Sequence, residues 1–251
     1  MTVDPLLITI IVITFVLAGG VKGVIGLGLP TVTLALLTVA LDLKTAMALL
    51  LVPSFVTNLW QALNGPHLFE LLRRTWPFLL CATGAILPAA TLLSRIDAAW
   101  LSAFLGLLLI SYAVLSLGGL RIRLPERMTT PTGVIAGIVN GICTGLTGSF
   151  VVPGVLYLQS IGLSRDALIQ AMGVLFTLST LSLGIALRDN QLLSREQLIW
   201  SSGAVIPSLL GMWIGLRIRR RLSEARFRTV FFTAVLILGC YIVVAAVAKA
   251  I

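Results

Sequence analysis

The sequence predicts an all-α integral membrane protein that contains two inverted repeats of about five apolar segments each. Three observations support this prediction. Of the 251 residues, 58% are hydrophobic and 11% are charged, whereas a soluble domain is about a quarter charged. Apolar segments of membrane-helix length follow one another along the chain. A glycine-rich stretch in the first half of the chain recurs in the second half.

Ten apolar segments are visible, and a helix that crosses the hydrocarbon core needs about 20 residues. Segments three to five and eight to ten are long enough, the first is borderline, and segments two, six and seven are too short. Short segments at matching places in two halves are typical of broken or re-entrant helices. We therefore expect eight to ten membrane segments, with such helices at the start of each repeat. The segments are 5–20, 29–41, 45–63, 76–93, 98–118, 131–142, 149–161, 167–187, 198–216 and 227–248.

Matching residues divide the chain into a first membrane repeat (1–120), a basic cytoplasmic linker (121–130) and a second membrane repeat (131–251). The start of segment three, Ala46-Met47-Ala48, matches the start of segment eight, Ala171-Met172-Gly173. Segments four and nine also share a pattern, which reads Thr83-Gly84-Ala85-Ile86-Leu87-Pro88 in the first half and Ser202-Gly203-Ala204-Val205-Ile206-Pro207 in the second.

An odd number of segments per repeat inverts the second repeat, and the basic residues agree with this topology. Cytoplasmic loops of membrane proteins are rich in Lys and Arg. With both termini outside, thirteen basic residues face the cytoplasm and five face outward. The cytoplasmic set is Lys22, Arg73, Arg74, Arg121, Arg123, Arg127, Arg165, Arg217, Arg219, Arg220, Arg221, Arg226 and Arg228; the outer set is Lys44, Arg95, Arg188, Arg195 and Lys249.

The recurring stretches, Ala18–Pro30 and Ala136–Gly148, are the candidate functional sites. Irregular backbone inside a bilayer is tolerated where it is buried in protein or lines a cavity. A helix that follows such a break starts with unbonded N–H groups and the positive end of its dipole, which favours anions. We expect these starts at Gly28–Thr31 and Gly148–Phe150. The shared pattern aligns Lys22 with Asn140.

The polar residues of the two breaks favour an anion over a cation, since one lysine and several amide or hydroxyl donors lie there. Every acidic residue lies in or beside a gap or at the N-terminus, so a metal cation would find no carboxylate inside a segment. Three alternatives remain open: the glycines serve helix packing, Lys22 reaches the interface, and the hydroxyls satisfy backbone carbonyls. The candidate substrate-binding residues are Lys22, Gly23, Gly26, Gly28, Thr31, Asn140, Gly141, Thr144, Gly145, Thr147, Gly148 and Ser149.

Other roles are less well supported by the sequence. Asp42 and Asp166 begin segments three and eight and could couple protons, but a cap at the helix N-terminus is the better-supported role for an aspartate there. The single histidine, His67, lies in no catalytic motif, so we predict no catalytic residue, metal or cofactor. The basic residues lie in short gaps, which argues against a nucleic-acid partner. A membrane scaffold or assembly factor without transport, or an intramembrane enzyme, is the alternative function.

Both breaks resemble the sulfite exporter TauE/SafE family of small bacterial anion permeases. The first, from Ala18-Gly19 through Gly23, Gly26 and Gly28 to Pro30, is similar to the opening glycine motif of that family. The second, from Gly137 through Asn140-Gly141, Thr144-Gly145 and Thr147-Gly148 to Pro153, is similar to its repeat, and Val155–Leu163 matches a common continuation.

The resemblance implies a permease, and usually an exporter, of sulfite, sulfonates or related small organic anions in the bacterial inner membrane. Its partners are then the small anion and the lipid bilayer, and the sequence leaves homo-oligomerisation open. We expect alternating access, in which the two repeats rock around a midplane site.

Overall fold

The computed structural model of the protein describes residues 5–119, 123–219 and 223–250. Within these residues the chain is all-α and has no strand, and seven helices are long and apolar enough to cross a membrane. The predicted class, an all-α membrane protein, is confirmed. The helices are α1 (Pro5–Ile25), α2 (Leu29–Ala40), α3 (Leu43–Leu63), α4 (Leu68–Gly84), α5 (Ile86–Ala90) with a 3-10 turn (Thr91–Ser94), α6 (Ala98–Leu117), α7 (Glu126–Thr147), α8 (Gly154–Ser160), α9 (Arg165–Asp189), α10 (Arg195–Gly203), α11 (Val205–Arg219) and α12 (Glu224–Ala250).

The lengths of the two break-bearing helices correct the prediction from the sequence. The first segment was expected to be borderline, yet α1 has 21 residues and is one of the seven candidate spans. The sixth segment, predicted at 131–142, was expected to be too short, yet α7 has 22 residues, or about 33 Å of helix. The glycines and threonines of α7 lower its mean hydropathy, so hydropathy alone does not show its full length. Segments two and seven are short as predicted, because α2 has 12 residues and α8 has seven.

Two long spans are interrupted at matching positions, and proline explains both interruptions. The helix breaks at Ala85 between α4 and α5 and at Ala204 between α10 and α11. Pro88 and Pro207 follow three residues later, and a proline cannot donate the hydrogen bond to the carbonyl four residues before it. The shared pattern in segments four and nine therefore has the same effect on the backbone in both halves.

The first of two compact units contains the described parts of Met1–Pro53, Ala98–Leu117 and Ser194–Ile251. In it α1 packs along α11, and α2 packs against α1 and α12. The last helices of the two halves, α6 and α12, pack together in opposite directions. Gly106 lies against Gly239, Tyr112 lies against Phe232, and Arg228 donates to the Ser116 carbonyl.

The second unit contains the described parts of Ser54–Asp97 and Gly118–Leu193. Here α7 packs against α4 and α5, α9 packs against the same pair, and α8 contacts both α7 and α9. Both units draw helices from both halves of the sequence, so the division into repeats at 1–120 and 131–251 stays a prediction about duplication. The predicted linker overlaps α7, which begins at Glu126; the basic residues Arg121, Arg220 and Arg221 lie outside the described residues.

The hydroxyl of Ser201 forms hydrogen bonds with backbone groups of α3 beside Pro53. Pro53 lies inside α3 and leaves the Leu49 carbonyl without its usual donor. The Ser201 hydroxyl donates to that carbonyl at 2.8 Å and accepts the Val52 N–H at 3.0 Å. These two hydrogen bonds give backbone groups beside Pro53 a partner within the first unit.

Candidate functional site

The first glycine-rich stretch is helical over most of its length, which corrects the expected unwinding. Helix α1 continues to Ile25, and only Gly26, Leu27 and Gly28 are outside regular helix. Gly19 and Gly23 face α11, where a Cβ would collide with the carbonyl oxygens of Ser208 and Met212. These two glycines allow close helix packing, which is the alternative that the sequence had left open for them.

The second stretch behaves in the same way in the second unit. Helix α7 runs through to Thr147. A Cβ at Gly141 would lie 2.5 Å from the Ala82 carbonyl oxygen, and one at Gly145 would lie 2.7 Å from the Ile86 carbonyl oxygen. The close contact between α7 and the α4–α5 pair therefore depends on these glycines.

Helices α1 and α7 both end at a glycine in the left-handed conformation. These two glycines allow the two glycine-rich stretches to be aligned by structure. Gly26 has a φ of 81° and Gly148 a φ of 72°, conformations that glycine adopts at little cost. Their N–H groups donate to the carbonyls of Lys22 at 2.8 Å and Thr144 at 2.7 Å.

This register replaces the alignment of Lys22 with Asn140. Counted back from the left-handed glycine, the counterpart of Lys22 is Thr144, and Gly19 and Gly23 match Gly141 and Gly145. The common pattern is then Gly-x-x-x-Gly-x-x-Gly, ending at Gly26 in the first half and Gly148 in the second.

The helices that follow the breaks start differently in the two halves. Helix α2 begins at Leu29 with Gly28 as its N-cap, inside the predicted range Gly28–Thr31. Helix α8 begins at Gly154, not at Gly148–Phe150, because residues 148–153 form an irregular connection. The prediction of a helix start directly after the second break was wrong.

Asn140 links α7 to the start of α8 and retains an unused donor. Its side chain is fully buried, and its Oδ1 accepts the Gly154 N–H at 2.9 Å. Its Nδ2 has no hydrogen-bond partner among the described residues. Buried amides are normally satisfied, so this donor is available to a ligand.

The threonines of the second break donate to backbone carbonyls. The Thr144 hydroxyl lies 2.8 Å from the Asn140 carbonyl oxygen and 3.0 Å from that of Ser149. The Thr147 hydroxyl donates to the Cys143 carbonyl at 2.7 Å and accepts the Ser149 N–H at 3.2 Å. Both threonine hydroxyls therefore satisfy backbone carbonyls, which is one of the alternatives left open by the sequence. These hydrogen bonds also connect the end of α7 to Ser149.

In the first unit, Lys22 is the prominent side chain. It is 5% exposed and is the only buried charged side chain among the residues whose burial the structure describes. A lysine that snorkels to the interface keeps its ammonium in water. Lys22 is buried instead, so the interface alternative does not fit it. Thr31 and Thr33 are also buried, and their hydroxyls have no hydrogen-bond partner among the described residues.

The acidic side chains lie elsewhere. Asp42 caps α3, since its carboxylate accepts the N–H and the hydroxyl of Thr45 at 2.9 and 2.6 Å. Asp166 lies in the first turn of α9, whose N-cap is Ser164. Where burial is described, every acidic side chain is exposed: Asp42, Glu70, Asp97, Glu126, Asp166, Asp189 and Glu196.

Comparison with known proteins agrees with this arrangement of apolar spans and glycine-rich breaks. A family model described as "Sulfite exporter TauE/SafE" matches residues 11–242. The chain belongs to this family. As a TauE/SafE protein it is a multi-pass membrane permease of the sulfite-exporter type, with a small anion as its substrate and the bilayer as its solvent. A search of curated proteins and a search of solved structures found no match.

Two buried serines of this TauE/SafE protein lie outside the glycine-rich stretches and were not predicted as site residues. Ser54 on α3 and Ser179 on α9 are both fully buried, and neither hydroxyl has a hydrogen-bond partner among the described residues. The signal was present in the sequence, because the register that aligns Ala46 with Ala171 also aligns these serines. Serine is common in membrane helices, so the register alone did not distinguish them.

Proposed function

We propose that the protein exports a small sulfur-containing or organic anion, such as sulfite or a sulfonate, by alternating access around a site near the membrane midplane. The observation that carries the proposal is the charge of the interior. Lys22 is buried, while all acidic side chains of described burial are exposed.

The electrostatic argument follows from the sign of the buried charge. A charge in the protein interior acts more strongly on another charge than one in water does, because the effective dielectric constant is lower. The buried Lys22 therefore attracts a permeating anion and repels a permeating metal cation, which would also find no carboxylate ligand among the buried side chains that the structure describes. The buried Nδ2 donor of Asn140 is also suited to an anion.

Two further observations support alternating access by inverted repeats. Helices α6 and α12, the last of each half, run in opposite directions within the first unit. The matched left-handed glycines, Gly26 and Gly148, end corresponding helices in the two halves. Repeats of opposite orientation are the usual basis of alternating access in secondary transporters.

The membrane potential favours export. A monoanion that leaves a negative-inside cell gains about 2.3 kcal/mol per 100 mV. Export then needs no buried carboxylate for proton coupling, in agreement with the exposed positions of Asp42 and Asp166.

The test is flux in proteoliposomes that contain the purified full-length protein. Vesicles loaded with sulfite or methanesulfonate are given a potassium diffusion potential of either sign, and the external anion is measured over time. We expect efflux that saturates with substrate, accelerates when the interior is negative and slows when the potential is reversed. Protein-dependent flux of neither anion at either potential would contradict the proposal and would favour a scaffold.

A further inference from the structure

Two serines at matching positions of the two halves, Ser54 and Ser179, differ from the other buried hydroxyls for which the structure gives hydrogen bonds in the second unit. In the second unit the hydroxyls of Thr75, Thr177 and Thr180 donate to carbonyls of their own helices at 2.6–2.7 Å. Those of Ser54 and Ser179 do not, although both residues are fully buried. An unsatisfied buried hydroxyl is costly, so its presence in both halves requires an explanation.

The serines occupy one register of the duplication. Each lies eight residues after the alanine that begins the shared pattern, Ala46 for Ser54 and Ala171 for Ser179. The neighbours differ, because Pro53 precedes the first serine and Thr180 follows the second. The two halves therefore share the serine at this position but differ in the residues on either side of it.

Contacts within the second unit place the two serines at similar depth. A Cβ at Gly173 on α9 would lie 2.6 Å from the Ala62 nitrogen on α3. Gln170 lies three residues before Gly173, and its side chain donates to the carbonyl of Gly65, three residues after Ala62, at 2.9 Å. The two helices thus run in opposite directions at this contact. Along their helices, Ser54 lies about 12 Å and Ser179 about 9 Å from this contact, on the same side.

A second set of contacts brings Ser179 towards Asn140. A Cβ at Gly154 would lie 2.7 Å from Asn140 Oδ1 and 2.9 Å from Leu175 Cδ2. Leu175 and Ser179 share a face of α9, one helical turn apart. The face of α9 that borders Asn140 therefore carries the Ser179 hydroxyl about 6 Å further along.

We propose that Ser54, Ser179 and Asn140 form a donor cluster that binds the terminal oxygens of the transported anion. The inference rests on the proposed transport function and assigns residues and a ligand class to its site. Two hydroxyls and one amide offer protons without an acceptor, so the ligand must be rich in acceptors. Within the described residues of the second unit no charged side chain is buried, so the cluster recognises oxygens rather than charge. Small oxyanions with several terminal oxygens, the sulfite and sulfonate class, meet this requirement better than chloride.

The serine variants test the cluster in the proteoliposome assay. Ser54→Ala and Ser179→Ala should each raise the KM for sulfite efflux roughly tenfold, since each removes one hydrogen bond to a charged ligand. Ser179→Thr keeps the hydroxyl and should stay close to the wild type. The matched controls are Thr180→Val and Ser160→Ala, whose hydroxyls donate to the carbonyls of Phe176 and Tyr157; their KM should change less than about twofold, because their donors are already used.

Thermal unfolding in detergent separates a binding role from a structural one. Replacing an unsatisfied buried hydroxyl with a hydrogen removes a desolvation cost. The two serine-to-alanine variants should therefore unfold at or above the wild-type temperature without ligand, and sulfite should raise that temperature less than it does for the wild type.

Three results would overturn the inference. One is an unchanged KM and an unchanged sulfite-induced stabilisation in both serine variants. Another is a lower unfolding temperature with unchanged KM, which would show a structural role. The third is a KM effect confined to one serine, which would contradict the paired assignment. All three leave wild-type transport intact, whereas a wild-type protein that moves no anion would contradict the proposed function itself, and the inference with it.

Discussion

At the scale of single residues, each compact unit has one buried side chain of interest, Lys22 in the first and Asn140 in the second. Lys22 lies one turn before the left-handed glycine that ends α1, where its ammonium is removed from bulk solvent. Asn140 uses its oxygen for structure and keeps its nitrogen for another partner. These two side chains can therefore be tested separately.

Substitution of Lys22 by methionine tests the role of charge while keeping side-chain length. We expect the KM for anion efflux to rise at least tenfold, since a charged hydrogen bond contributes about 1.5–3 kcal/mol. The matched control is Lys249→Met, because Lys249 is exposed in the last turn of α12. Equal flux in both variants would show that the Lys22 charge takes no part in transport.

Asn140 allows a substitution that separates its two hydrogen-bonding roles. Asn140→Asp keeps an oxygen for the Gly154 N–H but replaces the amide donor with negative charge. We expect it to fold and to lose anion flux by repulsion. Asn140→Ala removes both roles, so it should also destabilise the protein by about 1–3 kcal/mol, because it leaves a buried N–H without an acceptor. Sulfite flux and unfolding temperature, measured on both variants, check this; full flux in Asn140→Asp would exclude Nδ2 as an anion donor.

At the scale of helices, the glycines of α1 and α7 are packing residues as well as parts of the candidate site. The backbone of α7 approaches α4 and α5 so closely that a single methyl group at Gly141 would meet the Ala82 carbonyl. Close backbone contact through small residues is a common mode of helix association in membranes.

The glycine contacts predict opposite outcomes for two similar substitutions. Gly141→Ala should destabilise the protein by about 1–3 kcal/mol, the usual cost of overpacking. Gly84→Ala should be neutral or stabilising, because a Cβ there would have nothing within 4 Å and alanine favours helix. Thermal unfolding of both variants in the same detergent checks this; equal losses would mean that α7 does not pack tightly on α4.

The helices also show what could and could not be predicted from the sequence. Composition and segment length were enough for the membrane class, since burial of apolar helices in lipid depends on little else. The helical state of Ala18–Ile25 was not predictable in this way, because a glycine-rich run is compatible with unwinding and with close packing. Only the contacts of Gly19 with α11 decide between them. Ser54 was missed for a related reason: an unsatisfied hydroxyl is visible only once its neighbours are known.

At the scale of the whole molecule, the decisive property is the orientation of the two halves in the membrane. The matched interruptions at Ala85 and Ala204 and the shared Gly-x-x-x-Gly-x-x-Gly pattern are the basis for the prediction that one unit occurs twice. The excess of Lys and Arg in alternate gaps is the basis for the prediction that the second copy is inverted. Orientation can be measured without knowledge of the substrate.

Cysteine labelling in inside-out and right-side-out vesicles tests this topology. In a chain whose Cys81, Cys143 and Cys240 are replaced by alanine, Arg123→Cys and Arg219→Cys should react with a membrane-impermeant maleimide only from the cytoplasmic face. Asp189→Cys should react only from outside, because an odd number of membrane segments separates it from Arg219 in the inverted arrangement. Labelling of Arg123→Cys and Arg219→Cys from opposite faces would contradict the inversion, and alternating access by two inverted repeats would then lose its structural basis even if anion flux were observed.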